Sequence, residues 1–82
     1  MTEGYKAVID LYDTYKEDEK TFMSKLIPTI GLNDYDKDNS ILTTILDFAV
    51  EYADDATEPE QRKRLAAAAV AVINVLRNDC SA

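Results

Sequence analysis

Along almost the whole chain, apolar residues recur three and four positions apart, and strict alternation of apolar and polar residues is missing. That spacing lines them along one side of a helix with 3.6 residues per turn, whereas a half-buried strand needs a period of two. The pattern predicts an all-α fold, a small bundle of three or four antiparallel helices. The chain of 82 residues forms one domain, 1–82. A stability of roughly 4–12 kcal/mol is expected at this size.

The first stripe is Tyr5, Val8, Ile9, Tyr12 and Tyr15, on a helix beginning near Thr2. Phe22, Met23, Leu26, Ile27 and Ile30 form a second. Between them no residue is a strong breaker, but Glu19 would interrupt the stripe if one helix ran straight through. Two helices meeting near residues 17–19 are therefore expected. Pro28 lacks a backbone donor and restricts Ile27, so it should disturb the second helix. Gly31 reads as its left-handed terminator, with Leu32 as the hydrophobic residue that follows. Residues 33–39 read as a polar loop, and Ser40 or Asn39 as the next N-cap. The third helix, within 40–56, turns Ile41, Leu42, Ile45, Ala49, Tyr52 and Ala53 inward, with Phe48 widening that face. Thr57 and Glu60 have capping-box spacing, and Pro59 is tolerated in the first turn of a last helix over about 58–78. These two helices should form an antiparallel pair, with Leu42, Ile45, Leu65, Val72 and Leu76 buried.

The last helix is apolar around most of its circumference. Leu65, Ala69, Val72, Ile73 and Leu76 satisfy one core, and Ala66, Ala67, Ala68, Val70, Ala71 and Val75 cover much of the rest. Such a helix is either central in its bundle or covered on a second side by a partner. Alanines permit close approach, so a homodimer interface is expected at Ala67, Ala68, Val70, Ala71 and Val75.

Charge is segregated as sharply as hydrophobicity. Residues 34–60 hold nine carboxylates and one lysine, or −8, and the remainder is +1 of the chain's net −7. Asp47, Glu51, Asp54 and Asp55 fall at helical spacing, and no lysine on their own helix offsets them. Each like-charge pair at that spacing costs about 0.2–0.5 kcal/mol. Such a face either keeps a small domain soluble, helped by Arg62, Lys63 and Arg64 across the next turn, or matches a cationic partner. Tyr35 and Asp36, in the acidic loop, join the candidate binding face because Tyr35 has no core stripe to belong to.

Several function classes are disfavoured. No histidine supplies a general base near neutral pH. No paired carboxylates occupy an evident cleft, so no catalytic residue is assigned. The loop from Asp34 to Ile41 alternates oxygen ligands as a calcium loop does. However, Asn39 stands where the sharp turn needs glycine, and Ile45 stands where a bidentate glutamate closes the shell. No metal or cofactor is expected. The single cysteine, Cys80, has no internal disulfide partner, and its bland reading is a terminal thiol without a role. No apolar run reaches 18 residues and no charged-then-apolar leader follows Met1, so neither a membrane span nor a secretory signal is expected, and the cytoplasm fits best. No basic stripe suggests direct nucleic-acid contact.

The sequence thus points to a non-catalytic protein that binds a larger protein with a basic surface. Nuclease immunity proteins and phage-encoded inhibitors of host defence share its size and charge, though no motif. The alternative is a structural or regulatory homodimer working through its last helix, with the acid serving solubility.

Overall fold

The computed structural model describes residues 3–32 and 40–80, and shows four helices among them: α1 (Glu3–Tyr15), α2 (Glu19–Leu32), α3 (Ser40–Ala53) and α4 (Pro59–Cys80). α1 packs on α2, α2 on α3, α3 on α4, and α1 returns to α4, so the helices close a ring around one core. Short connections make α1–α2 and α3–α4 helical hairpins. The 22 residues of α4, at 1.5 Å each, account for most of the molecule's 36 Å length.

The core consists of Val8 and Leu11 from α1, Phe22, Met23, Leu26 and Ile30 from α2, Leu42, Ile45 and Ala49 from α3, and Ala66, Ala69, Ile73 and Leu76 from α4. Leu65 is also buried. Leu42, Ile45, Leu65 and Leu76 are buried as the spacing predicts. Val72 is only half-buried, because α4's inward line runs through Ala69 and Ile73. α1 likewise centres on Val8 and Leu11, with Tyr5, Ile9, Tyr12 and Tyr15 half-buried around them. Each tyrosine thereby keeps its hydroxyl near water while its ring covers the core. Tyr12 meets Phe22 edge to face, with ring centroids 5.5 Å apart. Gly4 is buried where α1 approaches α3. A Cβ there would come within 2.6 Å of Leu42 Cδ1, so the close approach requires glycine or a shift of Leu42.

The break between α1 and α2 falls where the interrupted stripe places it, and Asp18 makes it. Its Oδ1 accepts a hydrogen bond from Thr21 N at 3.2 Å, and its Oδ2 accepts from the Thr21 hydroxyl at 2.7 Å. The Asp18 carbonyl accepts the first intrahelical bond, from Phe22 N at 2.9 Å. Asp18 is thus an N-cap, satisfying a donor that the first turn of α2 leaves open.

Three local expectations are overturned, and the disturbance expected at Pro28 stays within one continuous helix. Pro28 does not end or split α2, which continues through it to Leu32. The carbonyl of Ser24 loses its helical donor there, but Ser24 and Pro28 both lie on the exposed side, where solvent can reach it. Phe22, Met23, Leu26 and Ile30 bury on the opposite side, spanning the proline and offsetting its cost of about 3 kcal/mol. Gly31 is helical rather than a left-handed terminator, with open space where a Cβ would stand.

The capping box at Thr57 does not form either. The Thr57 hydroxyl donates to the Glu51 carbonyl at 2.7 Å, closing α3 instead of opening α4. Pro59 does occupy the first position of α4, where its missing donor costs little. Finally, Ile41 and Ala53 are exposed rather than inward, and so is Ile27 of α2. Two neighbouring helices cover a narrower arc of α3 and α2 than their apolar spacing spans.

The polar loop at 33–39, with its calcium-like spacing and the alternative cap Asn39, lies outside the described residues. The side chains of Leu32 and Cys80 lie outside them as well.

Candidate acidic interface

α3 buries Leu42, Ile45 and Ala49 along one line, and the opposite line carries Asp47 and Glu51. At 100° per residue those two carboxylates stand almost directly away from the core. The helix ends at Ala53, so Asp54 and Asp55 follow in the turn rather than on another helical step. All four are exposed. Val50 lies beside them, 54% exposed, the apolar member of an otherwise charged face. Tyr35 and Asp36 lie outside the described residues.

The end of α3 concentrates negative charge at the negative pole of the helix dipole. Arg62, on α4, answers part of it in a way that local sequence does not signal. Its Nε donates to the Tyr52 carbonyl at 3.2 Å and its Nη2 to the Asp54 carbonyl at 2.9 Å. The Tyr52 carbonyl, one of those that the end of a helix leaves open, and the Asp54 carbonyl of the turn, which also accepts from Thr57 N at 3.0 Å, are thereby bonded by a side chain ten and eight residues downstream. Asp54 Oδ1 in turn accepts from Ala56 N at 2.9 Å, bracing the turn. Among the described residues one ion pair forms, between Arg77 and Asp13 at the α1–α4 seam, and none engages Asp47, Glu51, Asp54 or Asp55. The Arg62 guanidinium bonds main-chain oxygens and offsets the charge only at a distance, and the four carboxylate side chains are exposed.

Next to this face, where α2, α3 and α4 meet, is a cleft of ≈ 570 Å³ lined by Met23, Ile27, Tyr52, Ala53, Asp55 and Arg62, with Lys20 and Ser24 at the α2 side. The Tyr52 hydroxyl donates to Glu19 Oε2 at 3.1 Å. Burial, and then that bond and the negative charge behind it, hold the Tyr52 phenol above its ordinary pKa of 10.0.

The expected dimer residues share one arc of α4 but differ in exposure. Ala67, Ala71 and Val75 are exposed, Val75 by 58%, whereas Ala68 and Val70 are half-buried. Val70, Ala67 and Ala71 line a second cleft, of ≈ 400 Å³, between α4 and the α1–α2 corner formed by Tyr12, Lys16, Glu19 and Phe22. α4 is therefore a corner helix with one open side, not a central one.

Among the described residues no three side chains of the metal-ligating types converge, and no helix is long and apolar enough to cross a membrane. No protein-family model, curated protein or solved structure matches the chain.

Proposed function

We propose that this chain is a non-catalytic binding protein whose acidic face, Asp47, Glu51, Asp54 and Asp55 with Tyr35 and Asp36, occludes a basic surface on a larger protein. Proteins that handle nucleic acid carry such surfaces. One observation carries the reading: four exposed carboxylates gather along and beyond α3, and none of them is held in an ion pair among the described residues. A face meant only for solubility does not need its charges adjacent. Adjacency costs stability, and it strengthens the field that steers a cationic partner and raises the association rate.

The test is retention of a partner by the immobilised protein across a salt series. Binding through this face weakens steeply as salt screens it, and is lost in the variant Asp47→Asn, Glu51→Gln, Asp54→Asn, Asp55→Asn. Retention that ignores both salt and these substitutions would refute the reading.

The exposure of Ala67, Ala71 and Val75 favours a second reading, a homodimer through the open side of α4 with the acid serving solubility. Here the oligomeric state decides.

A further inference from the structure

We propose that the cleft at the foot of α3 receives an apolar side chain from the same cationic partner segment that the acidic face engages. The inference rests on that reading of the face and adds the partner's second chemical requirement. Ile27 belongs by spacing to the buried line of α2, yet it remains 39% exposed because it opens into this cleft. Ala53 extends the apolar surface beside it, and the buried Met23 backs the floor.

The walls are held in place before anything binds. The Tyr52 hydroxyl is tied to Glu19, and the Arg62 guanidinium to the carbonyls of Tyr52 and Asp54. Preset walls around an apolar floor are what an anchor residue requires, because little side-chain entropy is lost on entry.

Charge selects the kind of segment that carries the anchor. Asp55 lines the cleft, Asp54 precedes it, and Glu51 stands one turn up α3, all exposed and without an ion pair among the described residues. Two cations, Lys20 on α2 and Arg62 on α4, also line the cleft, so the segment's own lysines or arginines lie on the α3 side, beside Asp55, Asp54 and Glu51. A segment with lysines or arginines flanking one aromatic or large aliphatic side chain meets both the carboxylates and the floor.

The chain contains no tryptophan, so a tryptophan in a probe reports its own environment. The probe is a synthetic helical peptide with lysines and arginines on one face and a single tryptophan centred on the other. A control peptide carries alanine in its place. Blue-shifted emission on binding is expected, with affinity roughly tenfold or more above that of the control. Ala53→Leu, which fills the cleft, should remove the shift and the difference between peptides while leaving weaker, salt-sensitive binding. Ile27→Ser should do the same by removing the floor, and circular dichroism establishes that each variant is folded. Equal, salt-sensitive binding of both peptides without a shift overturns the cleft proposal and leaves the acidic-face reading standing. Binding of neither peptide overturns both. An equal shift and affinity with N-acetyltryptophanamide alone assigns the cleft to free small molecules and overturns the proposal.

Discussion

The guanidinium of Arg62 bonds the main-chain carbonyl of Asp54, at 2.9 Å, and not its carboxylate. The same side chain reaches the Tyr52 carbonyl, so one residue near the start of α4 terminates α3 and fixes the angle of the hairpin. Replacing Arg62 by Met should therefore cost about 1–3 kcal/mol, the usual range for losing hydrogen bonds to a charged group. Arg62→Lys should recover only part of this, because an ammonium lacks the planar fork that serves two carbonyls. Urea unfolding of the three proteins measures both steps, and full recovery by lysine would mean that charge alone matters.

Neutralising the acidic face should raise stability while removing binding. Asp47 and Glu51 are a like-charge pair within α3, and Asp54 and Asp55 lie against the negative pole of its dipole. Their replacement by Asn and Gln should stabilise the fold by about 1 kcal/mol. The substitution Asp54→Asn keeps a side-chain oxygen able to accept the bond from Ala56 N. A variant that melts higher and no longer binds shows that stability is given up for recognition. One that melts higher and binds unchanged retires the charge hypothesis.

Gly31 is helical with open space around it, so Gly31→Ala should stabilise the protein by about 0.5–1 kcal/mol. A left-handed conformation at this position would instead make alanine destabilising. The sign of the change in a thermal melt distinguishes the two.

The Asp18 carboxylate is held below its ordinary pKa, chiefly by the Thr21 hydroxyl and then by the Thr21 amide. A folded pKa below the unfolded one means that the carboxylate's contribution is fully present above the unfolded value of about 3.9 and disappears as pH falls through the lower folded value. Asp18→Asn keeps an N-cap acceptor, so it should melt near the parent at pH 7 and show a shallower loss of stability on acidification below about pH 4. Asp18→Ala should melt lower at both pH values. Melts across an acid series read this directly.

Ala69 is completely buried and Ala71 is exposed, two residues apart on α4. Ala69→Glu should abolish folding, because an unpaired carboxylate cannot be accommodated in the core. Ala71→Glu should leave helicity intact. If the open side of α4 is a homodimer interface, sedimentation should show a dimer for the parent and a monomer for Ala71→Glu. A parent that sediments as a clean monomer removes the homodimer reading.

By itself the sequence determined that this chain is helical, roughly where its helices lie, and most of their inner lines, although Leu11 and Ala66 were missed and Val72 is only half-buried. Those are properties of spacing, which a 3.6-residue period converts into a direction without reference to the rest of the chain. Pro59 at the first turn of α4 and the break before Glu19 were legible for the same local reason, and Asp18, a preferred N-cap residue, carried a signal that could have been read. That Asp47 and Glu51 stand opposite Leu42, Ile45 and Ala49 follows from the same arithmetic, whereas Asp54 and Asp55 lie in the turn beyond the helix. Tertiary structure decided the rest. α2 continues through Pro28 because burial on the far side outweighs one lost hydrogen bond, and only packing sets that balance. The Thr57 hydroxyl and the Arg62 guanidinium each have several acceptors within reach, and the angle between α3 and α4 chooses among them. Ile27, Ala67 and Ala71 are left open because the width of a helix's buried arc depends on where its two neighbours sit, which no spacing along a single helix encodes.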